Sequence, residues 1–433
     1  MNTTASTHEA HVRDVLDRAG TPAAEHVFTA LFAEQAIAAA RAADQGQHQG
    51  ALAGLPVSVK DLYDIAGRTT LAGSVQRRGA APAVADALAV QRLRGAGAAI
   101  VGLTNMTEFA FSGVGLNPHY GTPRNPADGQ TARVPGGSSS GAAVSVALGL
   151  CLAGLGSDTA GSIRIPAALC GLVGFKNTQS RTPLQGAFPL SFTLDTVCAL
   201  ARTVADCLLV DGVVSGAPLS VARRSLKGLR LAVPQTLVLD SLQPEVATAF
   251  QSALTRLSAE GAVLTELPLA ELAEIAQINA PGGLSSIEAW TTHRETMRNQ
   301  RGLIDERVAM RIALGEGVSA ADYITIQQRR REWIGRVEQR LAPFDALVCP
   351  TAPITAPAIA EVAASHEAFF KINTQLLRNT FPINFLDGCA FSLPCHRAGE
   401  QPVGLMLAAP GGRDAALAAA ALAVEAVLGQ PPR

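Results

Sequence analysis

Residues Gly136–Ala167, GGSSSGAAVSVALGLCLAGLGSDTAGSIRIPA, decide how this chain is read. Two glycine-rich, serine-bearing turns stand at the ends of one small-residue segment. The first, Gly136-Gly137-Ser138-Ser139-Ser140-Gly141, permits backbone conformations closed to residues with a Cβ and presents hydroxyls without bulk. The second, Thr159-Ala160-Gly161-Ser162, precedes Ile163-Arg164-Ile165-Pro166, which reads as a helix start. Backbone N–H groups just ahead of a helix point at developing negative charge, so this layout suits a serine nucleophile.

Such a serine needs a base. The chain has four lysines (Lys60, Lys176, Lys227, Lys371) against thirty-one arginines. Lys60 ends the strand-like apolar run Leu55-Pro56-Val57-Ser58-Val59. Lysine loses its proton readily when desolvated whereas arginine stays charged, so a lysine kept at a buried strand end is a candidate base.

The 136–167 stretch resembles the signature of the amidase signature hydrolases. Further stretches carry the likeness: Leu52–Asp61, Thr104–Ala110, Gly121–Pro126, Cys170–Lys176, Phe192–Val197, Ala346–Pro353 and Gly404–Leu407. Together they span most of residues 25–428. The resemblance implies a Ser-cis-Ser-Lys triad with Ser162 as nucleophile, Ser138 as bridging serine and Lys60 as base, and a cis bond between Gly137 and Ser138. It also implies an oxyanion hole from the N–H groups of Thr159, Ala160, Gly161 and Ser162, and hydrolysis of a small amide to a carboxylate and ammonia or an amine. The segment 104–121, following a strand, is where substrate contacts are expected, with Met106 and Gly113 as candidates there and Ser139 of the first serine turn as a third. Asp64–Ser74 and Asn117–Gly121 are similar to bacterial amidases of the biuret-hydrolase type. The same triad would serve a glutamine-dependent amidotransferase subunit with partner subunits, which is the alternative reading.

Other readings of these residues are weaker. Gly137-Ser138-Ser139-Ser140-Gly141 also fits G-x-S-x-G, which would make Ser139 the nucleophile of an α/β-hydrolase. That elbow needs a preceding strand, and Thr131–Pro135 is a poor one; the downstream His293, His366 and His396 carry no triad pattern. Ser139 and Ser140 are expected to cap the helix that begins near Gly141, Ser139 having a second option within the triad. Asp158 and Arg164 read as a structural ion pair, and Asp195 as a support residue. Arg124, Arg133 and Arg164 are the arginines that could meet a substrate carboxylate.

Composition fits a globular enzyme. With 48% apolar and 16% charged residues, the 433-residue chain can bury a large core, and that balance is compatible with a homodimer. A net charge of −1 gives no reason to expect nucleic acid or a membrane surface as partner. Seven scattered cysteines without C-x-x-C spacing read as reduced core residues, and no metal or cofactor is expected. No apolar leader or membrane-spanning run is evident, so cytoplasm is the default.

The expected fold is α/β, a single domain over 1–433 with a central mixed β-sheet covered by helices on both faces, residues 1–22 being an N-terminal extension or helix. Helices are predicted over 23–44, 86–95, 140–151 and 413–428. Strands are predicted over 57–60, 98–103, 229–234, 345–350 and 403–408, with another running toward Gly156. Residues 240–341 read as helical, Gln327–Glu332 as a solvated helix face, and Cys349–Pro357 as a loop at the pocket rim.

Overall fold

The structure, a computed structural model, describes residues 7–429. Among these residues eleven strands form one sheet: β1 (Phe28–Leu31), β2 (Pro56–Lys60), β3 (Ala99–Thr104), β4 (Ala153–Ser157), β5 (Val173–Lys176), β6 (Val197–Ala201), β7 (Arg230–Pro234), β8 (Val263–Leu267), β9 (Ala346–Pro350), β10 (Cys389–Pro394) and β11 (Gly404–Ala409). Their order is β1-β3-β2-β4-β6-β5-β10-β11-β9-β7-β8. The sheet is mixed, as expected. β2 runs parallel to both β3 and β4, β7 is parallel to β8 and β9, and the remaining pairings are antiparallel.

β2, β3, β4, β5, β6, β9, β10 and β11 are buried at every position. This is the signature of a sheet covered on both faces, and it explains why these segments read as continuous apolar runs rather than alternating ones. Small residues set the spacing beneath the Ser140–Ala147 helix. A Cβ on Gly154 of β4 would lie 2.9 Å from the Ala142 Cβ, and Ser58 of β2 shares a 2.9 Å hydrogen bond with Ser145. Helix and sheet therefore meet at a distance that larger side chains would forbid.

This architecture delivers three segments to one place. Because β2 lies between β3 and β4 and runs parallel to both, Lys60, the 105–113 segment and the 158–163 turn all leave the sheet at its carboxyl edge.

Several local expectations are corrected. Residues 23–44 are not one helix: after a short turn, Phe28–Leu31 pairs with β3 as an edge strand, and the helix occupies Ala33–Asp44. The alanine periodicity concealed a four-residue strand whose partner, Ala99–Thr104, is remote in sequence. The helix after the first serine turn ends at Ala147, and the 240–341 region contains β8 besides its helices. In the Gln327–Glu332 run, Arg329 and Arg331 are exposed, but Arg330 is buried and donates to the carbonyls of Phe385 (2.8 Å) and Asn384 (3.2 Å). The Ala320–Leu341 helix thus turns one of its arginines inward as a brace. Residues 8–19 form a helix, and all seven cysteines are free and buried. No helix among the described residues is long and apolar enough to cross a membrane.

Candidate active site

Lys60 is fully buried at the carboxyl end of β2. Its Nζ donates to Ser138 Oγ at 2.7 Å and to Ser157 Oγ at 2.9 Å, with no carboxylate in contact among the described residues. Burial dominates its ionisation and pulls the amine down to about 7, against the weaker upward pull of Cys198, Asp195 and Asp158. An amine in that range is half neutral at ordinary pH. It can both accept and return a proton.

The Gly137–Ser138 peptide bond is cis. Ser138 is fully buried, and its carbonyl accepts from Thr107 N at 3.1 Å. The next residue ties the two turns together, because Ser139 N donates to the Ser162 carbonyl at 3.3 Å. Ser139 occupies the cap position of the Ser140–Ala147 helix, but neither serine caps it with a side chain. Ser139 Oγ lies 3.4 Å from the Ser157 carbonyl, and Ser140 Oγ reaches the Asn105 carbonyl at 3.3 Å. No histidine touches Ser139 among the described residues, and Thr131–Pro135 contains only an isolated bridge from Arg133 to Ala358, so the hydrolase elbow lacks its parts.

Ser162 is 3% exposed in a turn held from below by Asp158. Asp158 Oδ1 accepts from Gly161 N (2.8 Å), Arg164 Nη2 (2.9 Å) and Asn384 Nδ2 (2.9 Å); Oδ2 accepts from Arg164 Nε (3.0 Å) and Ile163 N (3.2 Å). Burial alone would raise this carboxyl, but the Arg164 charge and hydrogen bonds outweigh it and hold it well below the usual carboxylate range. The expected Asp158–Arg164 ion pair is therefore present, with both side chains fully buried. It commits Arg164 to the scaffold. Arg133 is likewise paired with Asp128 at 2.7 Å, and Arg124 is exposed.

Gly161 has φ +134°, and a Cβ there would fall 2.2 Å from Thr380 Oγ1. Its N–H is already taken by Asp158. Among the described residues, no protein acceptor takes the N–H groups of Thr159, Ala160 or Ser162. Thr159 Oγ1 donates to Asp195 Oδ1 at 2.5 Å, and Asp195 Oδ2 accepts from Leu190 N and Ser191 N. Asp195 is thus a support residue, its carboxyl pushed up by burial to about 6.

Residues 10–418 match the family profile described as Amidase. The chain belongs to the amidase family. It is 39% identical to the 2-amino-5-chloromuconic acid deaminase of Comamonas testosteroni, over 89% of this chain and 84% of that protein. It is 36% identical to one subunit of the glutamyl-tRNA(Gln) amidotransferase of Chromohalobacter salexigens, over 88% of this chain and 85% of that protein. Among solved structures, one described as an amidase superposes with a TM-score of 0.87 at 33% identity, covering 98% of this chain and 96% of the other.

Two cavities lie near the site of this amidase-family chain. One of about 200 Å³ lies against Ser157, Tyr63 and Asp195. A larger one of about 630 Å³ reaches Ala160 and is walled by the helices around 271–286, 310–314 and 370–382. The candidate contacts Met106, Gly113 and Ser139 line neither cavity. Met106 is fully buried behind the site, whereas Gly113 N donates at 2.9 Å to Asn373 Oδ1, whose residue does line the larger one. The Cys349–Pro357 loop touches neither.

Sequence reasoning missed Ser157, Thr380 and Asn384. Ser157 was visible as the residue before Asp158, but only the sheet turns its hydroxyl toward Lys60. Thr380, which donates to the Ala160 carbonyl at 2.6 Å, and Asn384 lie more than two hundred residues from their partners and carry no local signal. Among the described residues, no cluster of three His, Cys, Asp or Glu side chains could hold a metal ion.

Proposed function

We propose that this amidase-family protein cleaves a carbon–nitrogen bond of a small amide through an acyl-enzyme on Ser162. The observation that carries the reading is the 2.7 Å hydrogen bond between Lys60 and Ser138, buried and, among the described residues, with no carboxylate in direct contact with the amine. Neutral Lys60 takes the Ser138 proton as Ser138 takes that of Ser162, and Ser162 Oγ bonds to the carbonyl carbon. The oxyanion is met by the unclaimed N–H groups of Thr159, Ala160 and Ser162, with Gly161 serving the turn; one such donor is typically worth about 3–4 kcal/mol. As the C–N bond breaks, Ser138 returns a proton to the leaving nitrogen. Water then adds to the acyl carbon by the same relay and restores the serine, releasing a carboxylate.

The relatives bracket the substrate class: one is named for deamination of an amino-substituted muconic acid, the other for an amidotransferase. The test is ammonia release by wild type and Ser162→Ala across biuret, malonamate, aliphatic and aryl amides, glutamine and an amino-muconic acid. Release that disappears in Ser162→Ala supports the reading. Turnover retained by that variant overturns it.

A further inference from the structure

Glu108 lies in the segment that leaves β3 beside the site, yet the proposed relay makes no use of it. Its side chain is buried and gathers partners from separate parts of the chain. Ser74 Oγ donates to Oε1 at 2.5 Å, Asp305 N donates to Oε2 at 2.6 Å, and His119 Nε2 lies 3.2 Å from Oε1. No lysine or arginine pairs with it among the described residues. A carboxylate taken out of water is costly unless its oxygens are satisfied, so it holds the donors that satisfy it firmly. Asp305 caps the Glu306–Ala313 helix, which supplies Met310 and Arg311 to the wall of the 630 Å³ cavity. Arg311 Nη1 donates to the Phe111 carbonyl at 2.8 Å, a second tie from that helix to the same segment.

The segment is bonded in turn to the bridging serine. Thr107 N donates to the Ser138 carbonyl at 3.1 Å, and Gly137 N donates to the Gly113 carbonyl at 2.8 Å, so the Gly137-Ser138 pair hangs from the two ends of 107–113. Between those ends Phe109 and Ala110 take φ of +50° and +60°. Residues other than glycine hold such conformations where their surroundings fix them. Here the Ala72 carbonyl accepts from Phe109 N at 2.8 Å, and Glu108 anchors the residue before it.

We infer that Glu108 is a positioning residue: by pinning the 107–113 segment to the cap of the Glu306–Ala313 helix, it sets where the Ser138 hydroxyl stands between Lys60 and Ser162. The inference rests on the acyl-enzyme reading of Ser162. Glu108 acts through the backbone of its segment, because among the described residues it forms no hydrogen bond to Lys60, Ser138 or Ser162.

The test is the rate constant for labelling of Ser162 by a fluorophosphonate in the full chain, measured beside urea denaturation. That rate constant reports folded molecules alone, so a merely structural role would lower the urea midpoint and leave the rate constant unchanged. Glu108→Ala is expected to slow labelling about 10- to 100-fold. Glu108→Gln, whose amide can still accept from Asp305 N and donate to Ser74 Oγ, should recover most of the rate. Should Glu108→Ala fail to fold, Asp305 gives the same test from the other side. Its φ of −51° and the extended Ile304 before it admit proline, which removes the N–H that Glu108 accepts. Asp305→Pro should slow labelling, whereas Asp305→Ala, which loses the cap but keeps the N–H, should label near the wild-type rate. Wild-type rate constants in Glu108→Ala or in Asp305→Pro would overturn the inference and leave Ser162 as the nucleophile. So would equal slowing in Asp305→Pro and Asp305→Ala. A wild type that takes no label at Ser162 would overturn the acyl-enzyme reading itself, and the inference with it.

Discussion

At the scale of single residues, the proposed chemistry turns on one lysine kept out of water. A base must be neutral to act, so kcat/KM should rise with pH and reach half its plateau near 7, the value to which burial lowers Lys60. A profile that is flat between pH 6 and 8 in the wild type would contradict this. Ser157→Ala removes one of the two hydroxyls that accept from the Lys60 ammonium. The charged form loses more than the neutral form, so the midpoint should move to lower pH, read from the same profile. Ser162→Ala and Lys60→Ala should each lose on the order of 10⁴-fold or more in kcat, Ser138→Ala somewhat less, in single-turnover measurements.

Among the elements, the decisive piece is the turn between β4 and the Arg164–Leu169 helix. Asp158 fills the space beneath it with bonds to Gly161, Ile163 and Arg164, and Gly161 takes a positive φ against Thr380. Gly161→Ala should displace the turn by a fraction of an ångström to an ångström. Such a shift near reacting atoms can cost about 10²-fold in kcat. Far-ultraviolet circular dichroism should remain that of the wild type, and a variant of wild-type kcat would show the turn to be more tolerant than its packing implies. Arg164→Met leaves Asp158 charged, buried and unpaired, a loss of about 3–5 kcal/mol expected as a lower urea midpoint.

For the whole molecule, the site depends on segments remote in sequence. Asn384 bonds both the carbonyl and the carboxylate of Asp158 across 226 positions, and Thr380 holds the Ala160 carbonyl. Asn384→Leu should therefore lower stability by about 1–3 kcal/mol, by stranding buried acceptors, and reduce the Ser162 acylation rate together with it. Stopped-flow acylation and urea denaturation on the same protein would check the coupling; a destabilised variant acylating at the wild-type rate would refute it.

What could be read along the chain was local or carried by motif. The glycine-serine turns, the lone lysine after an apolar run and the uninterrupted apolar strands each record a requirement met within a few residues, so β2, β3, β4 and the meeting of Lys60 with Ser138 were legible. The 28–31 edge strand was not, because helix-favouring alanines follow it and its pairing with β3 is non-local. Arg330 read as solvated because a helix face is chosen by what packs on it, here the 381–385 segment. The same holds for the arginines: their number along the chain says nothing of which are paired. Only tertiary packing commits Arg164 to Asp158 and leaves Arg311 facing an apolar cavity without a counter-charge, because burial and pairing are properties of neighbours in space.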